Sequence, residues 1–133
     1  MTNEIPIGHA SGTSRGLRIA DRVLLGALGL SAVGHTIGTF ALLEMGTPLF
    51  VWSLAGALAV WLLVALHALR AARPTDRAVA WIAVVGSVGW ALVALLFGAS
   101  IGDVADPRAL MHALSALGLA GLGALQLARR DPA

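Results

Sequence analysis

Four apolar runs, over residues 23–43, 49–69, 78–98 and 109–128, follow one another through a chain of 133 residues. Each is close to the ~20 residues that a helix rising 1.5 Å per residue needs to cross a hydrocarbon layer of ~30 Å. In lipid, backbone N–H and C=O groups must bond within the segment, so runs of this length read as helices rather than strands. Composition agrees: 58% of residues are hydrophobic and 12% are charged, against about 25% charged in a soluble domain. A water-soluble globule and a disordered chain are both excluded. The absence of cysteine also removes disulfides, thiolate metal sites and thiol catalysis. The expected fold is all-α: a polytopic membrane protein with four transmembrane helices in an up-down bundle.

The connectors are short, so helices adjacent in sequence should pack antiparallel. Glu44-Met45-Gly46-Thr47-Pro48 joins the first pair, residues 70–77, broken by Pro74, join the second, and residues 103–108 join the third. In the last connector Asp106 reads as an N-cap and Pro107 as the first helical residue. All nine basic residues are arginines. Arg15, Arg18, Arg22, Arg70, Arg73, Arg77, Arg129 and Arg130 fall at one end of the alternating spans. Arg108 stands at the other end beside Glu44, Asp103 and Asp106. The positive-inside rule then places both termini in the cytoplasm and the chain in a bacterial inner membrane. Although the pI is near 11.1, the formal charge is only +2. The arginines form no continuous stripe, so nucleic acid is not expected as a partner.

Residues 1–14 read as a mobile polar tail that includes His9. Residues 15–22 read as a basic segment at the inner interface, and residues 129–133 as a second cytoplasmic tail. Residues 15–33 have the basic start and apolar stretch of a signal peptide. The apolar pattern runs on to Leu43 without a clean cleavage site, so the first span is expected to be retained. Arg15, Arg18, Arg22, Arg70, Arg73 and Arg77 are candidate contacts for anionic lipid headgroups. A faint duplication is also visible. Asp21-Arg22 precedes Val33-Gly34-His35 at the spacing by which Asp76-Arg77 precedes Val88-Gly89-Trp90, as if a hairpin had been repeated in parallel.

Small residues allow close approach of helices in lipid. Gly34 with Gly38, Ala55 with Ala59, and Gly118 with Gly121 are the faces expected to do so. Trp52 and Trp81 read as interfacial anchors, whereas Trp61 and Trp90 lie deeper, where the indole N–H needs an acceptor.

An ionisable side chain at membrane depth is a functional candidate because burying it is costly. His35 lies roughly 18 Å from the arginine end of its span at 1.5 Å per residue, and with Ser31 and Thr39 it forms a polar stripe. That stripe serves equally well as a site or as interhelical hydrogen bonding. His112 lies one turn inside the opposite end of the fourth helix, with Ser115 and Gln126 on its face. Together with Glu44, Asp103 and Asp106, the two histidines could hold a divalent metal or relay protons. None of the usual metal motifs is present. His67, beside Arg70, is expected to snorkel to the interface. No cofactor is assigned. Bis-histidine haem ligation is restricted by depth to His35 and His112, which differ by roughly 5–10 Å along the normal. The serines show no paired base with a defined orienter, and no glycine-rich phosphate loop is present.

The stretch Ala32-Val33-Gly34-His35-Thr36-Ile37-Gly38-Thr39 resembles a motif, Gly-His-Thr-x-Gly, in the first helix of a group of small bacterial four-helix membrane proteins. No reaction is assigned to that group. The resemblance covers about a quarter of the chain and implies four helices and a purposeful His35. The later helices of the group are richer in aromatic residues, and this chain has no Tyr. The leading expectation is a non-enzymatic protein acting by association, as an accessory subunit of a membrane complex or as a homo-oligomer. One alternative is a small oligomeric transporter or proton/ion conduit using His35. Another is a membrane redox or lipid-modifying enzyme carrying a metal or haem at the outer side.

Overall fold

A computed structural model describes residues 11–128 and shows four helices. They are α1 (Ser11–Leu42), α2 (Pro48–Ala72), α3 (Arg77–Ser100) and α4 (Pro107–Ala128). All four are long and apolar enough to cross a membrane, as in a multi-pass membrane protein. His9, Arg129, Arg130 and the C-terminal tail lie outside the described residues. The basic stretch 15–22 is not a separate element. It belongs to the 32-residue α1, because only Gly16 interrupts it and no stop signal stands between Ile19 and the apolar run.

The helix starts follow from the connectors. Thr47 caps α2, its hydroxyl accepting from the Phe50 N–H at 3.2 Å, with Pro48 at the first position. Asp76 caps α3 by accepting from the Val79 N–H at 3.1 Å. Asp106 caps α4 as expected, its carboxylate accepting from the Arg108 N–H at 2.8 Å ahead of Pro107. Gly46 and Gly102 turn the two loops at the opposite end with φ of 85° and 75°, a region that glycine enters without the penalty of a Cβ.

The Asp106 carboxyl also takes the Arg108 guanidinium at 2.8 Å. That side-chain bond, reinforced by the backbone donors, lowers its pKa from the ordinary 3.8 to about 2. A carboxylate with a depressed folded pKa stabilises the fold above its unfolded value and loses that contribution as pH falls through the folded one. The start of α4 is therefore expected to loosen between about pH 4 and pH 2. Hydrogen exchange of the Arg108 and Ala109 amides across this range measures it. The Asp106→Asn variant should show no such titration.

The helices pack in a ring, each against its sequence neighbours, with α4 closing against α1. The closest pair is α3 and α4, and its chemistry is plain. Every buried residue of α3 is Ala, Ser or Gly, and Ala91 and Ala94 meet Ala113 and Ala116 in one cluster. Helices without bulk between them approach closely and gain dispersion contact along their length. A second cluster of Leu28, Ala32, Val60, Leu63 and Leu119 fills the middle of the bundle.

These contacts revise the small-residue faces expected from sequence. Gly34, Gly38 and Gly121 have no atom within 4 Å of a notional Cβ, while Gly118 is pressed by Leu24. Ala55 and Ala59 face outward. The reason lies in the helical period of 100° per residue. Asp21, Leu28, Ala32, His35 and Thr39 fall on one side of α1, which packs on α2 and α4, so Gly34 is rotated away.

Candidate functional site

With Asp106 at its cap and Ser115 on α4 standing apart, most of the buried polar side chains gather in two clusters at different depths. The first, toward the loops at the end opposite the arginines, contains His35. Its Nε2–H donates to the Ser53 carbonyl at 3.1 Å, which requires the proton on Nε2 because a carbonyl can only accept. The Thr39 hydroxyl donates to the His35 carbonyl at 2.9 Å. With that proton committed, the 2.7 Å contact between Thr39 and Ser53 is a bond donated by Ser53. α1 and α2 are thereby tied through both backbone and side chain of Ser53. His112 on α4 lies 6.0 Å from His35 between ring centroids. The Trp90 indole on α3 donates to His112 Nδ1 at 3.3 Å. All four helices thus contribute to one layer, and the two quasi-repeated positions, His35 and Trp90, both converge on His112. The other deep indole also finds its acceptor, with Trp61 donating to Thr36 at 3.2 Å.

The rest of the expected outer-side group is not brought to this layer. Glu44 and Asp103 are exposed in their loops, with Asp103 accepting from the Ala105 N–H, and Asp106 is committed to its cap. Among the described residues no three of His, Asp and Glu come together as a metal would require. Ser31 leaves the stripe as well, because its hydroxyl turns back to the Ala27 carbonyl at 3.0 Å. Ligation of a haem through His35 Nε2 would break its bond to the Ser53 carbonyl.

The second cluster lies toward the arginine end, and there two sequence expectations are overturned. His67 does not snorkel and Arg70 does not reach the headgroups: their relative exposures are 0% and 4%. Side chains on a helix lean toward its N-terminus, and the N-terminus of α2 is at the opposite end. Both side chains are therefore drawn into the bundle. Arg70 finds three acceptors within the bundle. Its Nε donates to His67 Nδ1 at 3.1 Å, one Nη to Gln126 Oε1 at 3.0 Å, and the other to the Asp21 carboxylate in an ion pair. Gln126 completes the link by donating to the Pro74 carbonyl at 2.7 Å. His67 Nε2 lies 2.6 Å from the Ser87 hydroxyl.

A serine 2.6 Å from a histidine that is itself held by a third residue has the outline of a nucleophile and its base, an arrangement that sequence reading did not detect. The polarity is opposite to what catalysis needs. Arg70 is a donor, so His67 Nδ1 is the lone-pair nitrogen and Nε2 carries the proton. His67 therefore donates to Ser87 rather than accepting its proton, and no nucleophile is generated.

Asp21 and Ser53 were also missed as members of these clusters. A signal for Asp21 does exist: it stands seven residues before Leu28, on the same face of α1, as the acid in a flank otherwise made of Arg15, Arg18 and Arg22. The remaining predicted headgroup contacts, Arg15, Arg18, Arg22, Arg73 and Arg77, are exposed at that end. No protein-family model, curated protein or solved structure matches the chain.

Proposed function

We propose that the protein works by association within the membrane, as an accessory subunit of a membrane complex or with further copies of itself. The observation that carries this reading is the outward face of α1. Gly26 and Gly34 are exposed there, and among the described residues nothing beyond their own turn of helix comes within 4 Å of where a Cβ would stand. A glycine inside a helix costs about 1 kcal/mol relative to alanine. Close approach of a second helix offsets that cost in lipid. The interior supports the same reading from the other side. Among the described residues every buried side-chain nitrogen and oxygen has a partner, so the polar core is occupied with holding the bundle together. The connectors are too short to build a recognition domain beyond the bilayer.

The arginine distribution supports an orientation with that end, and both termini, on the cytoplasmic side of a bacterial inner membrane. A conduit through His35 has less in its favour. Leu28, Val60, Leu63 and Leu119 are buried between the His35 and His67 clusters, and a proton path would have to cross them. A redox or lipid-modifying activity would have to start from the His35–His112 pair, which the Trp90 indole already engages.

Native mass spectrometry from mild detergent tests the association. Wild-type protein should carry mass beyond one 13.6 kDa chain. Replacing Gly26 and Gly34 by Leu should release the single chain with its helicity intact. Gly121→Leu, on an exposed part of α4, should leave the complex unchanged. A wild-type protein found solely as the single chain in membranes from its own source would remove the basis for this function.

A further inference from the structure

At the arginine end the four helices surround a cavity of about 560 Å³. Its charged lining consists of Arg18, Asp21 and Arg22 from α1, Arg70 from α2 and Arg77 from α3, so four guanidinium groups stand against one carboxylate. That carboxylate is already paired with Arg70. Arg77 donates through one Nη to the Leu127 carbonyl at 3.1 Å, which leaves its remaining N–H groups to the cavity. Among the described residues Arg18 and Arg22 have no ion-pair partner. Cations gathered around a concave wall focus a positive potential into it. The α4 side of the cavity contributes Leu122, Leu125 and Leu127 beside the amide of Gln126.

We propose that this cavity is a binding site for one phosphate group. Planar guanidinium groups of Arg18 and Arg22 on α1 and of Arg77 on α3 suit the several oxygens of a phosphate, which can accept paired N–H bonds. Bound there, the anion relieves the repulsion among Arg18, Arg22 and Arg77. Asp21 is the internal competitor: its carboxylate neutralises Arg70 at the inner margin of the cavity and lowers the attraction for an incoming anion. The leucine wall gives an acyl chain an apolar path, so a phospholipid headgroup is one source of the phosphate and a free phosphate is the other. The site requires no second protein and is independent of whether the bundle associates.

Titration of the detergent-solubilised protein with phosphatidylglycerol, and separately with phosphatidylcholine of the same chains, followed by native mass spectrometry, reads the lipid source. Inorganic phosphate, followed by thermal denaturation and by competition with phosphatidylglycerol, reads the soluble one. A single saturable adduct is expected, weakened about tenfold by Arg18→Gln, Arg22→Gln or Arg77→Gln, the scale of one charge-assisted hydrogen bond. Arg73→Gln, at the same end but outside the cavity, and Arg108→Gln, at the opposite end, should leave it unchanged. Asp21→Asn, which keeps a hydrogen-bond acceptor for Arg70, should tighten binding. Saturation by either source supports the site and tells which form it takes. Adducts that grow without saturation, equal losses for Arg73→Gln and Arg22→Gln, or no adduct at all would overturn it. Arg18 and Arg22 are exposed, so their variants test binding without disturbing the core.

Discussion

Asp21→Ala is expected to destabilise the bundle by about 1.5–3 kcal/mol, the scale of a hydrogen bond to a charged group. Among the described residues the Asp21 carboxylate is the acid bonded to Arg70, whose side chain is 5% exposed. Without it, among the described residues, the guanidinium keeps the neutral acceptors His67 and Gln126, and its charge is left uncompensated at the inner margin of the cavity. Arg70→Ala should cost at least as much, because it strands Asp21 and leaves His67 Nδ1 and Gln126 Oε1 without donors. The double variant Asp21→Leu with Arg70→Met removes both charges and should recover much of the loss, since well-packed apolar replacements of buried pairs are often neutral. Reversible unfolding in mixed detergent measures all three. A single Asp21→Ala variant as stable as wild type would mean that water reaches Arg70 freely.

Gly123→Ala is the second large effect, about 1–3 kcal/mol of destabilisation from overpacking, despite the better helix propensity of alanine. A Cβ at position 123 would stand 2.7 Å from Val84 Cγ2. Valine in a helix has essentially one χ1 rotamer, so Val84 has nowhere to turn, and α3 and α4 must move apart along their alanine seam. Combining Gly123→Ala with Val84→Ala should restore stability. Gly26→Ala, in open space, should instead raise the stability of the isolated chain by up to about 1 kcal/mol. The opposite signs of two identical substitutions, read by the same unfolding assay, distinguish interior from exterior glycines.

Much of the architecture was legible because it is written in one-dimensional signals. Run length marks four helices, Asp106-Pro107 marks a helix start, and the short connectors imply antiparallel neighbours. Depth arithmetic also bears on which histidines can meet. It singled out His35 and His112 as the pair whose depths come nearest, and their ring centroids lie 6.0 Å apart. It failed for His67 and Arg70, which lie near a helix end and were read as interfacial. The direction in which helical side chains lean, combined with the reversed polarity of α2, carries both inward. The small-residue rule failed for a related reason: it finds glycines and alanines without saying toward which neighbour they turn.

From sequence alone this protein's element order, the number of its long apolar helices and the segregation of arginine to one end were determined, because each depends on local composition. The pairing of Asp21 with Arg70, the neutral Nε2–H state of His67 beside Ser87, and the exposure of Gly26 and Gly34 were decided only by tertiary structure. Each depends on the rotation of one helix about its axis relative to the next. An apolar span surrounded by lipid leaves that rotation undetermined until interior packing and hydrogen bonding select it.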